Sequence, residues 1–168
     1  VIEQYGADAL RFALITGNAP GNDIRYYPER VESARNFANK IWNATRFVLD
    51  RTSDFNETGA SFNDEDSATY DAWKEVRKDI TSDLENYRLH LASEKIYDYF
   101  WKTFCDEIIE TRKVRIDGDN DKQSAQLLLT TLLREQMITL HPFMPFITEE
   151  IWKYIKRESD DLLMVTRW

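Results

Sequence analysis

No proline interrupts the chain from Glu29 to His141, and only two glycines, Gly59 and Gly118, fall in that span. Proline removes a backbone donor and clashes with the preceding turn, so so long a stretch without one is open to long helices. Apolar residues within it recur every three or four positions, the period of one helix face. One run holds Tyr70, Trp73, Val76, Ile80, Leu84 and Tyr87, and a second holds Ile96, Tyr99, Phe100, Phe104, Ile108 and Ile109. A third holds Leu128, Leu132, Leu133, Met137 and Leu140. The expected fold is all-α, a bundle of four to five helices joined by short loops.

Local signals place the boundaries. Gly6–Ile15 reads as a short helix with Leu10, Ala13 and Leu14 on one face and Gly17 as its stop. A turn over 18–23 and a short extended piece at Ile24–Tyr27 follow, and Pro28 suits the first turn of a helix from about Glu29 to Asp50. Residues 52–64 are polar and breaker-rich. Asn63 or Asp64 is placed to cap the next helix, with Glu65 and Asp66 in its first turn. Further helices are expected over about Leu91–Val114 and Lys122–Leu140. A fifth opens at Phe146, and residues 158–168 read as extended. Residues 1–27 form one unit in this reading, and residues 28–168 the helical domain.

Several chemistries lack their residues. Cys105 is the single cysteine and His90 and His141 are the only histidines, so neither an internal disulfide nor a Cys/His zinc set is possible. The glycines are too scattered for a phosphate-binding loop. Adjacent carboxylates such as Glu65/Asp66, Asp106/Glu107 and Glu149/Glu150 diverge by about 100° on a helix, so they read as solvated surface or helix-start charge rather than catalytic dyads. No apolar run approaches a membrane span, and no leader pattern opens at Val1. A cytoplasmic setting is the default, and Val1 in place of Met suggests a piece of a longer chain. Cys105, Trp42, Trp73, Trp101 and Trp152 read as core, so Trp42→Ala is expected to cost roughly 3–5 kcal/mol.

The segment from Asn36 to Val48 is the most informative for function. Wound at about 100° per residue, Phe37, Ala38, Ile41, Trp42, Ala44, Thr45, Val48 and Leu49 fill one side. Arg35, Asn36, Asn39, Lys40, Asn43 and Arg46 fill the other, and Phe47 falls among them. Asparagines and cations around an aromatic ring suit unpaired nucleic-acid bases: the ring stacks, the amides read base edges and the cations meet phosphates. Packing against a neighbouring helix is the competing role for Phe47. The net charge of −8 opposes general nucleic-acid affinity, but residues 1–51 hold seven Lys/Arg against six Asp/Glu. An RNA-facing surface therefore belongs in the first third.

Residues 4–49, QYGADALRFALITGNAPGNDIRYYPERVESARNFANKIWNATRFVL, resemble the region that follows the catalytic domain in class I aminoacyl-tRNA synthetases. Ala92–Lys113, with YDYFWKTFCDEIIE, and HPFMPFITEEIW at 141–152 resemble the same family in the same order. Within the class, RNFANKIWNATRFVL is most similar to the valyl enzymes. The resemblance implies a helical anticodon-binding domain after a junction that touches the tRNA stem, with tRNA(Val) and the enzyme's own catalytic domain as partners and neither DNA nor membrane. ATP and Mg²⁺ would serve the parent enzyme, not this part, which would be catalytically inert. The resemblance assigns Arg35, Asn36, Asn39, Lys40, Asn43, Arg46 and Phe47 to the anticodon loop, Phe47 now as a stacking ring. Arg25 and Arg30, near the helix start, are weaker candidates; around position 29, where the family prefers arginine, this sequence has Glu29 with Arg30 beside it. The alternatives are the same domain of an isoleucyl, leucyl or methionyl enzyme, and a helical protein–protein interaction module.

Overall fold

A computed structural model describes residues 1–17, 21, 23 and 25–168. Its elements are α1 (Ile2–Tyr5), α2 (Ala7–Ile15), α3 (Pro28–Arg51), α4 (Asp64–Glu85) and α5 (Leu89–Asp98). A π-helical segment (Tyr99–Ile109) runs on into α6 (Glu110–Asp117), followed by α7 (Lys122–Leu140), α8 (Pro145–Ile155) and a 3₁₀ turn (Leu163–Val165). No strand occurs among the described residues. The all-α bundle expected from the spacing is the fold observed. The turn expected at 18–23 lies largely outside the described residues, as does Ile24. The C-terminal stretch differs from the extended expectation, because Leu163–Val165 winds into the 3₁₀ turn.

α7 is the central helix. It packs on α3, α4, α5, α6, α8 and the π segment, and buries residues on every side, including Ser124, Ala125, Leu129, Gln136 and Thr139. A helix surrounded by neighbours has no solvent face to keep polar, so its one-stripe pattern understates its burial. Around it, Phe12, Phe37, Tyr97, Phe100, Trp101 and Phe143 form a chain of ring contacts with centroids 4.7–6.5 Å apart. These rings join α2, α3, α5, the π segment and the α7–α8 turn into one core.

The helix running from Leu89 to Asp117 departs from a plain α-helix in its middle. There the buried residues come as Tyr99/Phe100, Phe104/Cys105 and Ile108/Ile109, a repeat nearer to four and a half residues than 3.6. Widening to i→i+5 hydrogen bonding keeps each pair on the core side of a straight rod. On α2 the buried stripe is Ala9, Phe12 and Ala13, with Leu10 half-buried and Leu14 exposed, one position earlier than Leu10/Ala13/Leu14 suggested. Tyr87 lies beyond the end of α4, exposed, in a left-handed turn with φ 57°.

Buried polar groups fasten the helix ends. Asn63 caps α4 through the Asp66 N–H, as expected. Asp66, read as surface or helix-start charge, does lie in the first turn of α4 but is fully buried: Arg115, Arg112 and Ser124 donate to its carboxylate. Burial opposes its ionisation, but the hydrogen bonds from Arg115 and Ser124 and the Arg112 charge outweigh it, so the carboxyl stays below its usual range. Glu135 accepts from Tyr70 Oη (2.7 Å), Trp73 Nε1 (2.7 Å) and Arg77 (2.8 Å), which ties α4 to α7. Asp8 on α2 accepts from the Phe146 and Ile147 N–H groups, filling open donors in the first turn of α8.

Candidate nucleic-acid interface

α3 is long because it has a proline at its first position, no glycine, and a stripe that a bundle can bury. Val31, Ala34, Phe37, Ile41, Ala44, Thr45 and Val48 are buried, a stripe that continues through about five turns against α2, α7, α8 and the π segment. The opposite side carries Arg35, Asn36, Asn39, Asn43 and Arg46, all exposed. None of these five has a side-chain hydrogen bond or ion pair with a described residue. Three unengaged amides and two unengaged guanidinium groups therefore face solvent in one strip. No carboxylate occurs on α3 from Ser33 to Leu49; Glu29 and Glu32 lie before that window and Asp50 after it. In a chain of net charge −8, this is a local reversal of sign.

The two borders of the strip are built differently. On the side of the π segment and α6, Lys40 is half-buried, pairs with Asp106 at 3.2 Å and lies 5.1 Å from the Trp101 ring centre. Phe47 is also half-buried, packed against the core, with the Arg51 guanidinium 5.3 Å from its ring centre and Arg51 paired to Asp117. The fully out-facing ring expected for Phe47 is thus corrected. At about 120° from Arg35 it reaches the shoulder where the Asp117-bearing helix approaches. The residue packs on the core and remains partly exposed.

On the α8 side the correction runs the other way. Trp42, expected in the core, is 37% exposed, and its ring meets Tyr154, 59% exposed, edge to face at 6.5 Å and 83°. Trp73 and Trp152 are fully buried and Trp101 is half-buried, so only Trp42 leaves the expected group. It lies about 20° from Arg35 on the helical wheel, just outside the buried stripe. Sequence reasoning missed the Trp42–Tyr154 corner and the Lys40–Asp106 pair, because each joins residues far apart in the chain. Arg25 and Arg30 are exposed before and at the start of α3, away from the strip's centre, and Arg30 lies over the Tyr27 ring at 5.5 Å.

A family model described as the anticodon-binding domain of tRNA ligase matches residues 66–168. The chain belongs to this family. It is 46% identical to the valine–tRNA ligase of Clostridium perfringens over 99% of its own length, and 47% identical to that of Clostridium tetani over all of it. It is 41% identical to the enzyme of Carboxydothermus hydrogenoformans over 98%. The chain spans about a fifth of the length of these relatives. Among solved structures it is similar to a LeuRS–tRNA–LeuAMS ternary complex from Agrobacterium radiobacter, with a TM-score of 0.69 and 18% identity. That match covers 96% of this chain and 19% of the other, and it shows the shared fold.

Proposed function

We propose that the chain is the anticodon-binding part of a valine–tRNA ligase and that the outward strip of α3 meets the anticodon loop of tRNA(Val). The observation that carries this reading is the unengaged strip itself, on a chain whose relatives bear that enzyme's name. Asn36, Asn39 and Asn43 offer donors and acceptors for base edges, and Arg35 and Arg46 offer charge for phosphates. Lys40 can join them once its Asp106 partner is displaced by phosphate. Phe47, partly exposed, closes the strip towards α6 and offers a base a partial stack. Arg25 and Arg30 would meet the backbone beyond the loop, where residues 1–27 form the junction towards the tRNA stem and residues 28–168 the binding domain.

The parent would join valine to tRNA with ATP and Mg²⁺ held outside this part, in the cytoplasm. No group of three or more His, Cys, Asp or Glu among the described residues could hold a metal ion, and the strip holds no general base. No described helix is long and apolar enough to cross a membrane. The role of this part in that enzyme would be to bind and position the tRNA. The test is the affinity of the full-length protein for tRNA transcripts with a valine anticodon and with a swapped one, across a salt series. Discrimination between them, with affinity falling linearly in log salt, is the expected result. Equal affinity at every salt concentration would overturn the reading and favour a protein-docking module.

A further inference from the structure

We infer that Trp42 and Tyr154 form a second base-stacking site, on the α8 border of the α3 strip. The inference rests on the reading of that strip as the RNA-facing surface and adds a platform to it. Large aromatic rings are usually withdrawn from water, and Trp73 and Trp152 are, yet these two are 37% and 59% exposed; Tyr87, Phe146 and Trp168 are exposed as well, but only Trp42 and Tyr154 among the described exposed rings meet each other ring to ring. Their planes stand at 83°, so together they make an open right-angled corner. A flat base can stack on one ring and place its edge against the other.

The surroundings select a nucleic acid over an apolar helix as the occupant. Trp42 is three residues after Asn39 and four before Arg46, the two spacings that bring helix side chains together. Arg46 and Arg35 are exposed and unpaired among the described residues, so cations flank the corner where a phosphate would run. From α8, Lys153 adjoins Tyr154 and is tied to Glu150 at 2.5 Å. Glu150, four residues before Tyr154 on α8, is thus already paired. An unpaired, flipped-out base with its phosphate fits this mixture of ring faces and free guanidinium groups. A greasy helix would leave both arginines without partners.

The experiment uses the full-length protein and two synthetic anticodon stem-loops, one intact and one with abasic sites through the loop. Trp42→Ala and Tyr154→Ala should each weaken binding to the intact hairpin by roughly five- to a hundred-fold, the range of one base–aromatic stack. The loss should vanish on the abasic hairpin, and the salt slope should not change, because no phosphate contact is removed. Trp42→Phe keeps a ring and should retain most of the affinity, which preserves the test should Trp42→Ala unfold. Arg46→Ala serves as the control for the strip itself, since it should lower affinity and flatten the salt slope. If Arg46→Ala does so while Trp42→Ala binds like the parent, or loses as much on the abasic hairpin, the stacking site is refuted and the strip stands. If Arg46→Ala and Arg35→Ala change nothing, the strip reading itself has failed. A Trp42→Ala protein with intact RNA affinity but altered association with another protein would also refute the site and assign the corner to protein docking.

Discussion

At the scale of single residues, Asp66 is a fully buried carboxylate held by groups from two other helices. Its carboxylate is out of contact with water and satisfied, among the described residues, by Arg112, Arg115 and Ser124, which come from α6 and α7. Removing one member of a buried ion cluster leaves the others desolvated and unpaired. Asp66→Asn should therefore cost about 3–5 kcal/mol in urea unfolding, with the slope of the transition preserved. The tryptophans should split by exposure. Trp73→Ala empties a buried site and strips a donor from Glu135, so a loss of roughly 3–5 kcal/mol is expected. Trp42→Ala removes a ring already one-third in water and should cost about 1 kcal/mol, well below the value its sequence position suggested. Phe47→Ala should fall between them and lower RNA affinity as well, because the ring both packs on the core and edges the strip. Equal melting temperatures for Trp42→Ala and Trp73→Ala would contradict this ranking.

At the scale of elements, α3 was the most legible part of the chain, and its edges were the least. Proline at the start, the amphipathic period and the breaker-rich segment after Arg51 fix its length from local chemistry alone. The central strip of Arg35, Asn36, Asn39, Asn43 and Arg46 lies opposite the buried stripe and faces solvent whatever the neighbours do. Trp42 and Phe47 sit on the shoulders, where burial depends on which helix approaches. That decision belongs to residues over 60 positions away, in α6 and α8. The same holds for Asp66, whose partners are more than 45 positions distant, and for the widened turns over Tyr99–Ile109. The shoulders also set a difference between cations. Lys40 must first give up Asp106, whereas Arg46 is free among the described residues. Arg46→Ala should accordingly flatten the salt dependence of tRNA binding more than Lys40→Ala does. Asp106→Asn should raise affinity by freeing the lysine, as a nitrocellulose-filter titration would read.

At the scale of the whole molecule, charge governs the response to acid. Four carboxyls, Asp54, Asp66, Asp83 and Asp160, lie below their ordinary value of 3.8. Hydrogen bonds from Lys122 to Asp54 and from Lys95 to Asp83 have this effect, while at Asp66 and Asp160 arginine contacts overcome burial. The folded state thus binds these protons less readily than the unfolded chain. Their stabilisation is complete above pH 3.8 and is lost as the pH falls through the lower folded values. Burial likewise depresses His141 below 6.5 against the opposing charges of Glu149 and Asp8, so its contribution is lost earlier in the descent. A melting series should show a shallow decline beginning near pH 6.5 and a steep one below pH 3.8, and His141→Gln should remove the first alone. Catalysis sets a separate test. The isolated chain should show no valine-dependent ATP–pyrophosphate exchange, and activity above background would sink the assignment of this part to binding.

The bond from Asp8 to the first turn of α8 joins residues 138 and 139 positions apart. A ribosome adds about 5–20 residues per second, so on the order of ten seconds separates the emergence of Asp8 from that of its partners. Through that interval the Asp8 carboxylate lacks its α8 partners, and Phe12, which later meets Phe143, lacks that wall of its pocket. Within this part, the first helices made are among the last to be completed. A nascent chain stalled before Pro145 should therefore be cut by protease within α2, and one stalled well beyond Ile155 should resist.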